Sequence, residues 1–393
     1  MSRRIFIHTG EVSGDLQGGL LAKALYHQAN CQAIDLELLG MGGDRMAAAG
    51  VKLLGRTVSV GSIGLLESLP YLIPTLRLQQ QATQFLLQNP PDAVVLIDYM
   101  GPNIGLGKRL RRKFPQLPLF YYIAPQEWVW ARGSRNTSAI VDFCNQILAV
   151  FPGEADYYRQ QGASVTWVGH PLLDTRLTQP DRHQARQHLG IPEHETTIVL
   201  LPASRRQELR YLLPPLLQAA AQIQAQCPEV KFWIPVSQPS FEPLIQKALE
   251  PFHLNVQVIL ESSAWTIAAA DLAITKSGTV NLELALQRIP QVVFYRVSPL
   301  TAWIAQHLLR FSIPFMSPPN LVLMEPLVPE LLQDQVTPDR LATEALALLK
   351  DPLRRQQMIA GYDRVEATLG TPGVCDRAAQ AILSGLKNSE GSF

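Results

Sequence analysis

Short apolar runs alternate with longer stretches of helical spacing along the 393-residue chain. Ile5–Thr9, Ala93–Ile97, Leu119–Ile123, Gln146–Phe151 and Val165–Val168 are rich in β-branched, leucine and aromatic residues, which predicts strands. Between them, Leu20–Gln28 and Gly105–Lys113 carry the 3.6-residue spacing of helices. Strands alternating with helices in this way predict βαβ units and a parallel sheet. The alternation pauses after VGHPLLD (168–174). The polar stretch 175–195, TRLTQPDRHQARQHLGIPEHE, has no apolar period and reads as an interdomain linker with a lead-in helix. A second series follows: Thr197–Leu201, a helix to about Gln226, Lys231–Pro235, Val256–Leu260, Leu272–Thr275, a helix to Gln287, and Gln291–Tyr295.

Length turns two series into two domains, because a single hydrophobic core stops growing at roughly 250–300 residues. The predicted architecture is α/β: two facing Rossmann-like domains with parallel sheets, at 1–175 and 190–350. Residues 351–393 are expected to form C-terminal helices packing back across the domains and to end in a frayed tail, KNSEGSF.

Composition narrows the classes of function. With 47% hydrophobic and 17% charged residues the chain can build ordinary globular cores, and 34 Lys+Arg against 33 Asp+Glu leaves a net charge of +1, too little field to gather nucleic acid. Cys31, Cys144, Cys227 and Cys375 stand far apart with no C-x-x-C pair, so buried free thiols in a reducing compartment are expected and a metal site is not. The apolar run in MSRRIFIHTG is too short for a signal peptide, and no run approaches the ~18 apolar residues of a membrane span.

Several stretches carry candidate chemistry. In HTGEVSGDLQGG (8–19) the glycines, Gly14 among them, allow a tight turn and close backbone approach to a ligand, and Glu11, Ser13 and Asp15 bring polar groups to the sheet edge; a helix capped by Ser13 or Asp15 is the competing reading. LGMGGDRMAAAG (39–50) reads as another strand-to-helix turn, able to wall a sugar-like group. VVLIDYMGPNIG (94–105) delivers Asp98 to a strand end, with Asn103 nearby. An acid there can take a proton from an attacking hydroxyl, or can simply cap the next helix. YYIAPQEWVWARGSRN (121–136) groups Gln126 and Trp128 with further aromatics and arginines, fit for a sugar ring and phosphate or for ordinary core.

The others concern an anion and a lipid. LLPASRRQEL (200–209) and ADLAITKSGTVNLELAL (270–286) both run from a strand into a turn and a helix. Ser277, Gly278 and Thr279 at a helix start suit a diphosphate, Glu283 one turn deeper suits ribose hydroxyls, and Ser204-Arg205 offers a guanidinium to the same diphosphate. In VGSIGLLESLPYLIPTLRL (60–78), Leu65, Leu66, Leu69, Leu72, Ile73 and Leu76 share one helical face, which reads either as buried packing or as a membrane or acyl-chain surface. The basic run KRLRRK (108–113) suits anionic headgroups or a solvated helix end.

In the order GEVSGD, GMGGDRM, APQEWVW, VFPGEADYY, VGHPLLD, ASRRQEL, KSGTVNLE and PNLVLMEPLVPELLQ, these stretches resemble the lipid-A-disaccharide synthase family of two-Rossmann (GT-B type) glycosyltransferases, from residue 10 to about 333. The resemblance implies an inverting, metal-free and cofactor-free transfer of 2,3-diacylglucosamine from its UDP derivative to 2,3-diacylglucosamine 1-phosphate, releasing UDP. It implies Asp98 as general base, with Glu11 beside it among the catalytic candidates, and Arg205 as the cation at the departing diphosphate. Ser277, Gly278, Thr279 and Glu283 would hold phosphate and ribose, and Asn320, Glu330 and Gln333 would border the donor sugar. Implied partners are the two lipid substrates and the inner-membrane surface, touched peripherally from the cytoplasm, with no nucleic acid; a homodimer is left open. The chain departs from the family pattern at Asp98-Tyr-Met-Gly-Pro-Asn103, where Asp-x-Pro-Asp-Phe-Asn is usual, at Ala203-Ser204-Arg205 for Gly-Ser-Arg, and at Gly153-Glu154 for Phe-Glu. A UDP-N-acetylglucosamine epimerase, a transferase with a soluble acceptor, and a binding protein without catalysis remain the alternatives.

Overall fold

A computed structural model describes residues 2–10, 12–57, 69–130, 134–203, 206–260, 263–298 and 314–388. The chain divides into two compact units, one formed by 1–174 with 369–393 and the other by 175–368.

Unit 1 begins with β1 (Arg3–His8), α1 (Val12–Cys31), β2 (Leu36–Gly42), α2 (Asp44–Ala48) and β3 (Lys52–Arg56). It continues with α3 (Leu69–Gln88), β4 (Ala93–Ile97), α4 (Met100–Lys113), β5 (Leu119–Tyr122), α5 (Glu127–Trp130), α6 (Arg135–Phe143), β6 (Gln146–Ala149), α7 (Pro152–Gln160) and β7 (Val165–Trp167). The strands form a parallel sheet of order β3-β2-β1-β4-β5-β6-β7. Every residue of β4 is fully buried, as expected of a strand covered by helices on both faces.

The chain leaves this unit through α8 (Leu172–Arg176) and enters α9 (Arg182–Leu189). Although 175–195 was expected to be a linker with a lead-in helix, α9 is a firmly placed part of unit 2: Asp181 caps its start, accepting the Gln184 amide at 2.8 Å, and Gly190 ends it at φ 67°. Unit 2 then runs through β8 (Thr197–Leu201), α10 (Arg206–Gln226), β9 (Lys231–Pro235), α11 (Glu242–Leu249), β10 (Val256–Ile259), α12 (Ser263–Ala268), β11 (Leu272–Lys276), α13 (Val280–Leu286) and β12 (Gln291–Tyr295). It ends with α14 (Pro318–Leu323), β13 (Glu330–Leu332), α15 (Pro338–Lys350) and α16 (Pro352–Leu369). Its parallel sheet has the order β10-β9-β8-β11-β12-β13. Buried Leu212, Leu213, Leu216, Ala220 and Ile223 of α10 share their core with Leu341, Ala345 and Leu348 of α15.

The last two helices do not act as one C-terminal block. α16 belongs to unit 2, whereas α17 (Val374–Asn388) returns to unit 1 and lies against α1. Its apolar face, Val374, Ala378, Ile382 and Leu386, has the i, i+4 spacing that turns one side of a helix inward. The start of α17 is fixed by Asp174, whose carboxylate accepts the amides of Gly373, Val374 and Cys375 at 2.6, 3.1 and 2.8 Å. Of the four thiols expected to be buried, only Cys375 is; Cys144 and Cys227 are half-buried, and Cys31, at the end of α1, is exposed.

In each sheet the strand order reverses once, between β1 and β4 and between β8 and β11, and ligands of open α/β sheets bind at such reversals, beyond the carboxyl ends of the strands. The stretches around Asp98 and around Ser277 leave the sheets there.

Candidate active site

At the first reversal, β4 hands over to Asp98 and Tyr99, which both have left-handed backbone conformations, φ 47° and 48°. Two such residues in succession, neither of them glycine, store strain of about 1–3 kcal/mol each, a cost typically found at functional sites. Neighbouring elements hold the turn. The Asp98 carbonyl accepts hydrogen bonds from Tyr121 Oη and Asn103 Nδ2, each at 2.7 Å, and the Asp98 amide points to Ile123 O at 3.2 Å. The Asp98 side chain is half-buried at the head of α4, with exposed Met100 beside it. Gly10 gives the Tyr99 ring its space: a Cβ there would lie 2.2 Å from Cε1 of that ring.

Several other expected ligand contacts in unit 1 are occupied by the protein itself. Asp15 is buried, and its carboxylate accepts the amides of Gly43, Arg45 and Met46 at 2.8, 3.0 and 3.1 Å, so it caps α2 across the sheet edge. Gly14 leaves room for the Thr9 side chain, where a Cβ would sit 1.9 Å from Oγ1, and Ser13 is half-buried at the start of α1. Asn103 is fully buried, with both ends of its amide engaged. Gln126 and Trp128 stand half-buried around α5. Trp128 rests on Phe151 at 5.9 Å between ring centroids, and its indole N–H has no hydrogen-bond partner among the described residues. Glu11 lies outside the described residues.

Sequence reasoning missed the buried acids that shape this rim. Glu127 accepts from Thr137 Oγ1 at 2.8 Å and Asn136 Nδ2 at 2.9 Å. Glu154 accepts the amides of Ala124, Val150 and Phe151 at 3.0, 2.9 and 3.2 Å, tying the carboxyl ends of β5 and β6 together. Burial lifts the Glu154 carboxyl to about 7, while the three amides pull the other way. Burial likewise holds His8 down at about 4, against its hydrogen bond with Asn103, and His170 down at about 3.

These shifts act in opposite directions on stability. A histidine whose folded pKa lies below its unfolded value supports the fold above the unfolded pKa and loses that support in acid; between pH 7 and 5 each costs about 2 kcal/mol. A carboxyl raised in the folded state loses stability as pH rises toward its folded pKa, so over the same acid step Glu154 returns about 2 kcal/mol. Wild-type protein should therefore lose about 2 kcal/mol from these three groups on going from pH 7 to 5, and Glu154→Gln about 4 kcal/mol. Urea titrations at the two pH values check this: equal losses in both proteins would show that Glu154 does not titrate in that range.

At the second reversal, β11 ends in Lys276, whose ammonium meets Glu208 of α10 at 3.0 Å; the two side chains are 12% and 7% exposed. Ser277 donates from Oγ to Met316 O at 2.7 Å, Gly278 N–H is received by Asn281 Oδ1 at 2.7 Å, and Thr279 is exposed just before α13. Little crowds Gly278: a Cβ there would meet only Cε and Nζ of Lys276, at 3.8 Å. Glu330 accepts the amides of Met316 and Ser317 at 2.6 and 2.9 Å and Asn320 Nδ2 at 3.2 Å, so Ser277, Asn320 and Glu330 join through the 316–317 turn. Asn320 is buried and pairs in both directions with the Val328 backbone. Glu283 accepts from Gln179 Nε2 at 2.9 Å, and half-buried Gln333 opens the turn after β13 at φ 50°. Ser204, Arg205, Leu65 and Leu66 lie outside the described residues, as do the side chains of Leu69, Leu72 and Ile73; Leu76 is 45% exposed.

The second site was missing its acid partner in the sequence reading. Nothing local couples Lys276 to Glu208, although the KSGT turn itself displays the lysine. Among the described residues, no group of three or more His, Cys, Asp or Glu side chains is placed to hold a metal ion, and no helix is long and apolar enough to cross a membrane.

Known proteins share both the sequence and the fold. The chain is 54% identical to lipid-A-disaccharide synthase of Gloeothece citriformis over 97% of its own length and 99% of that protein's, and 54% identical to lipid-A-disaccharide synthase of Synechocystis over 97% of each. Among solved structures, the Staphylococcus aureus MnaA–UDP complex superposes with a TM-score of 0.65 at 14% identity, covering 100% of this chain and 98% of that one. The calicheamicin glycosyltransferase CalG4 superposes with a TM-score of 0.61 at 16% identity, covering 98% of each. At such identities the structural likeness establishes the fold alone, that of two Rossmann-like domains of the GT-B kind. The family model described as lipid-A-disaccharide synthetase matches residues 5–384, which takes in both strand-order reversals and everything between them, and the chain belongs to that family.

Proposed function

We propose that the chain transfers 2,3-diacylglucosamine from UDP-2,3-diacylglucosamine to 2,3-diacylglucosamine 1-phosphate with inversion, releasing UDP and forming the disaccharide. The observation that carries this reading is that a match to one family over residues 5–384 coincides with a strained acid at one strand-order reversal and a KSGT turn at the other. Unit 2 is the donor-binding half. The 277–279 turn receives the diphosphate with Arg205: Ser277 and Gly278, already bonded to Met316 O and Asn281 Oδ1, set the turn, and exposed Thr279 meets the phosphate oxygens. Glu283 takes the ribose hydroxyls, and Asn320, Glu330 and Gln333 shape the place of the donor sugar through the 316–317 turn. Because the carboxylates of Glu283 and Glu330 already accept hydrogen bonds from the protein, each reaches the ligand in a fixed orientation, with no side-chain ordering left to do on binding.

Unit 1 supplies the base. Asp98 takes the proton of the acceptor hydroxyl as that oxygen attacks the anomeric carbon; the C–O bond to UDP breaks, and its electron pair leaves on the diphosphate, where cationic and N–H groups stabilise the charge. The acceptor is a lipid, and unit 1 has a face suited to a lipid surface. Lys108, Arg109, Arg112 and Lys113 of α4 are exposed, and α4 packs on α3, which carries exposed Leu76 and Arg77. We assign this face to peripheral contact with anionic headgroups.

Purified protein supplied with both diacylated substrates should release UDP in step with disaccharide, with and without EDTA. Release of UDP without disaccharide, or no turnover with either substrate pair, would sink the assignment. Sedimentation with anionic vesicles should fall with added salt, since exposed charges are screened within about 10 Å at 0.1 M.

A further inference from the structure

The left-handed turn at Asp98 is anchored by a buried amide whose other end is held by a neighbour. Asn103 Nδ2 donates to two carbonyls, Asp98 O at 2.7 Å and Ile97 O at 3.1 Å, so its Oδ1 is the end that faces His8 Nδ1, at 2.5 Å. An amide oxygen only accepts. His8 must therefore carry its proton on Nδ1, and burial keeps the imidazole neutral at ordinary pH. The two ends of an asparagine amide are nearly the same shape. The two carbonyls favour the donor end, but without a donor at position 8 the buried Asn103 oxygen is left unsatisfied, a costly state away from water, so the amide shifts off the carbonyls toward another donor and loosens the turn.

We propose that His8 is a positioning residue for the transfer reaction: through Asn103 it fixes the Asp98 carbonyl, and with it the direction in which the Asp98 carboxylate leaves the strand. The arrangement is closed to water, with His8 at 1% and Asn103 at 0% exposure, so no solvent molecule can replace the missing donor. The ring of Tyr99, the second left-handed residue, stands 6.0 Å from the His8 ring and fills the space above Gly10. Losing the anchor therefore leaves the Asp98 carbonyl to Tyr121 Oη and loosens Asp98 and Tyr99 together. This inference rests on the reading of Asp98 as the base.

The test separates the two claims. His8→Phe keeps a ring and removes the donor; it should lower kcat about 10- to 100-fold, as expected for a base displaced by about an ångström, and leave the donor KM and UDP affinity within about twofold. His8→Asn offers an amide N–H near the position of Nδ1 and should recover most of kcat. In an Asp98→Asn background, His8→Phe should cost nothing further, because both changes act on one group. In the wild type, ¹⁵N shifts of His8 should report the neutral Nδ1–H tautomer from pH 6 to 8, a readout that needs no variant to fold. Full kcat in His8→Phe, equal losses in His8→Phe and His8→Asn, or an Nε2–H tautomer would each overturn the positioning role while leaving Asp98 in place. If Asp98→Asn turns over normally, it is the reading of the base that fails.

Discussion

Asp98→Asn is expected to lower turnover about 10²–10⁴-fold with UDP affinity unchanged, the range that general-base catalysis supplies. The exchange keeps the size of the side chain, and asparagine tolerates the left-handed conformation as well as aspartate does, so the turn at φ 47° should survive it. What disappears is the ability to hold a proton taken from the acceptor. Asn103 and Tyr121 grip the Asp98 carbonyl, not its carboxylate, so their hydrogen bonds are untouched by the substitution. Progress curves with both lipid substrates, and calorimetric titration of UDP as the control for folding, give the answer. Turnover within a few-fold of wild type would remove Asp98 from the mechanism and shift attention to Glu11.

The second large effect concerns stability. Arg186 of α9 is fully buried, and its guanidinium donates to the carbonyls of Pro192, Glu195 and Ala269 at 2.6, 3.0 and 3.2 Å and to Asp271 Oδ2 at 2.8 Å. Burial pulls its pKa below the usual arginine value, and Asp271 works against that pull. Arg186→Met, close in volume, should destabilise the protein by about 3–5 kcal/mol, because carbonyls and a carboxylate lose their donor where water does not reach them. Asp271 keeps Arg182 at 2.8 Å and the Thr197 amide at 2.9 Å, which holds the loss within that range. Urea unfolding followed by fluorescence measures it, and a change below about 1 kcal/mol would mean that water enters and satisfies the orphaned carbonyls. Since α9 tucks against the amino-terminal edge of its sheet, away from the strand ends that bear the proposed donor site, UDP affinity below the unfolding midpoint should be unaltered.

Both expectations depend on features that differ in how far the chain announces them. The strands at Ala93–Ile97, Thr197–Leu201, Lys231–Pro235 and Gln291–Tyr295 have the bounds that the sequence predicts, because a strand buried on both faces is apolar through its middle, and only the first residue of three of them, Thr197, Lys231 and Gln291, is polar. Short polar edges are harder to read. β3, with Lys52 and Arg56 exposed at its two ends, and the three residues of β13 have no run long enough to stand out. The stretch 175–195 looked like a linker because its charges had no visible destination; Arg186 finds one in carbonyls and a carboxylate up to 85 positions away.

The same division runs through the candidate site. Composition, spacing and resemblance determined the two-domain α/β plan, the family, and the stretches that would carry chemistry, since each of these is written in residues close together along the chain. The tertiary structure decided which of the polar residues are spoken for. Asp15 caps a helix that begins 29 residues later, Asn103 locks a turn instead of lying open, and Glu330 organises the loop that receives the Ser277 hydroxyl. A hydrogen bond depends on distance and direction within a few tenths of an ångström. Two strand-order reversals bring together partners far apart in sequence, and no local pattern records which donor will meet which acceptor.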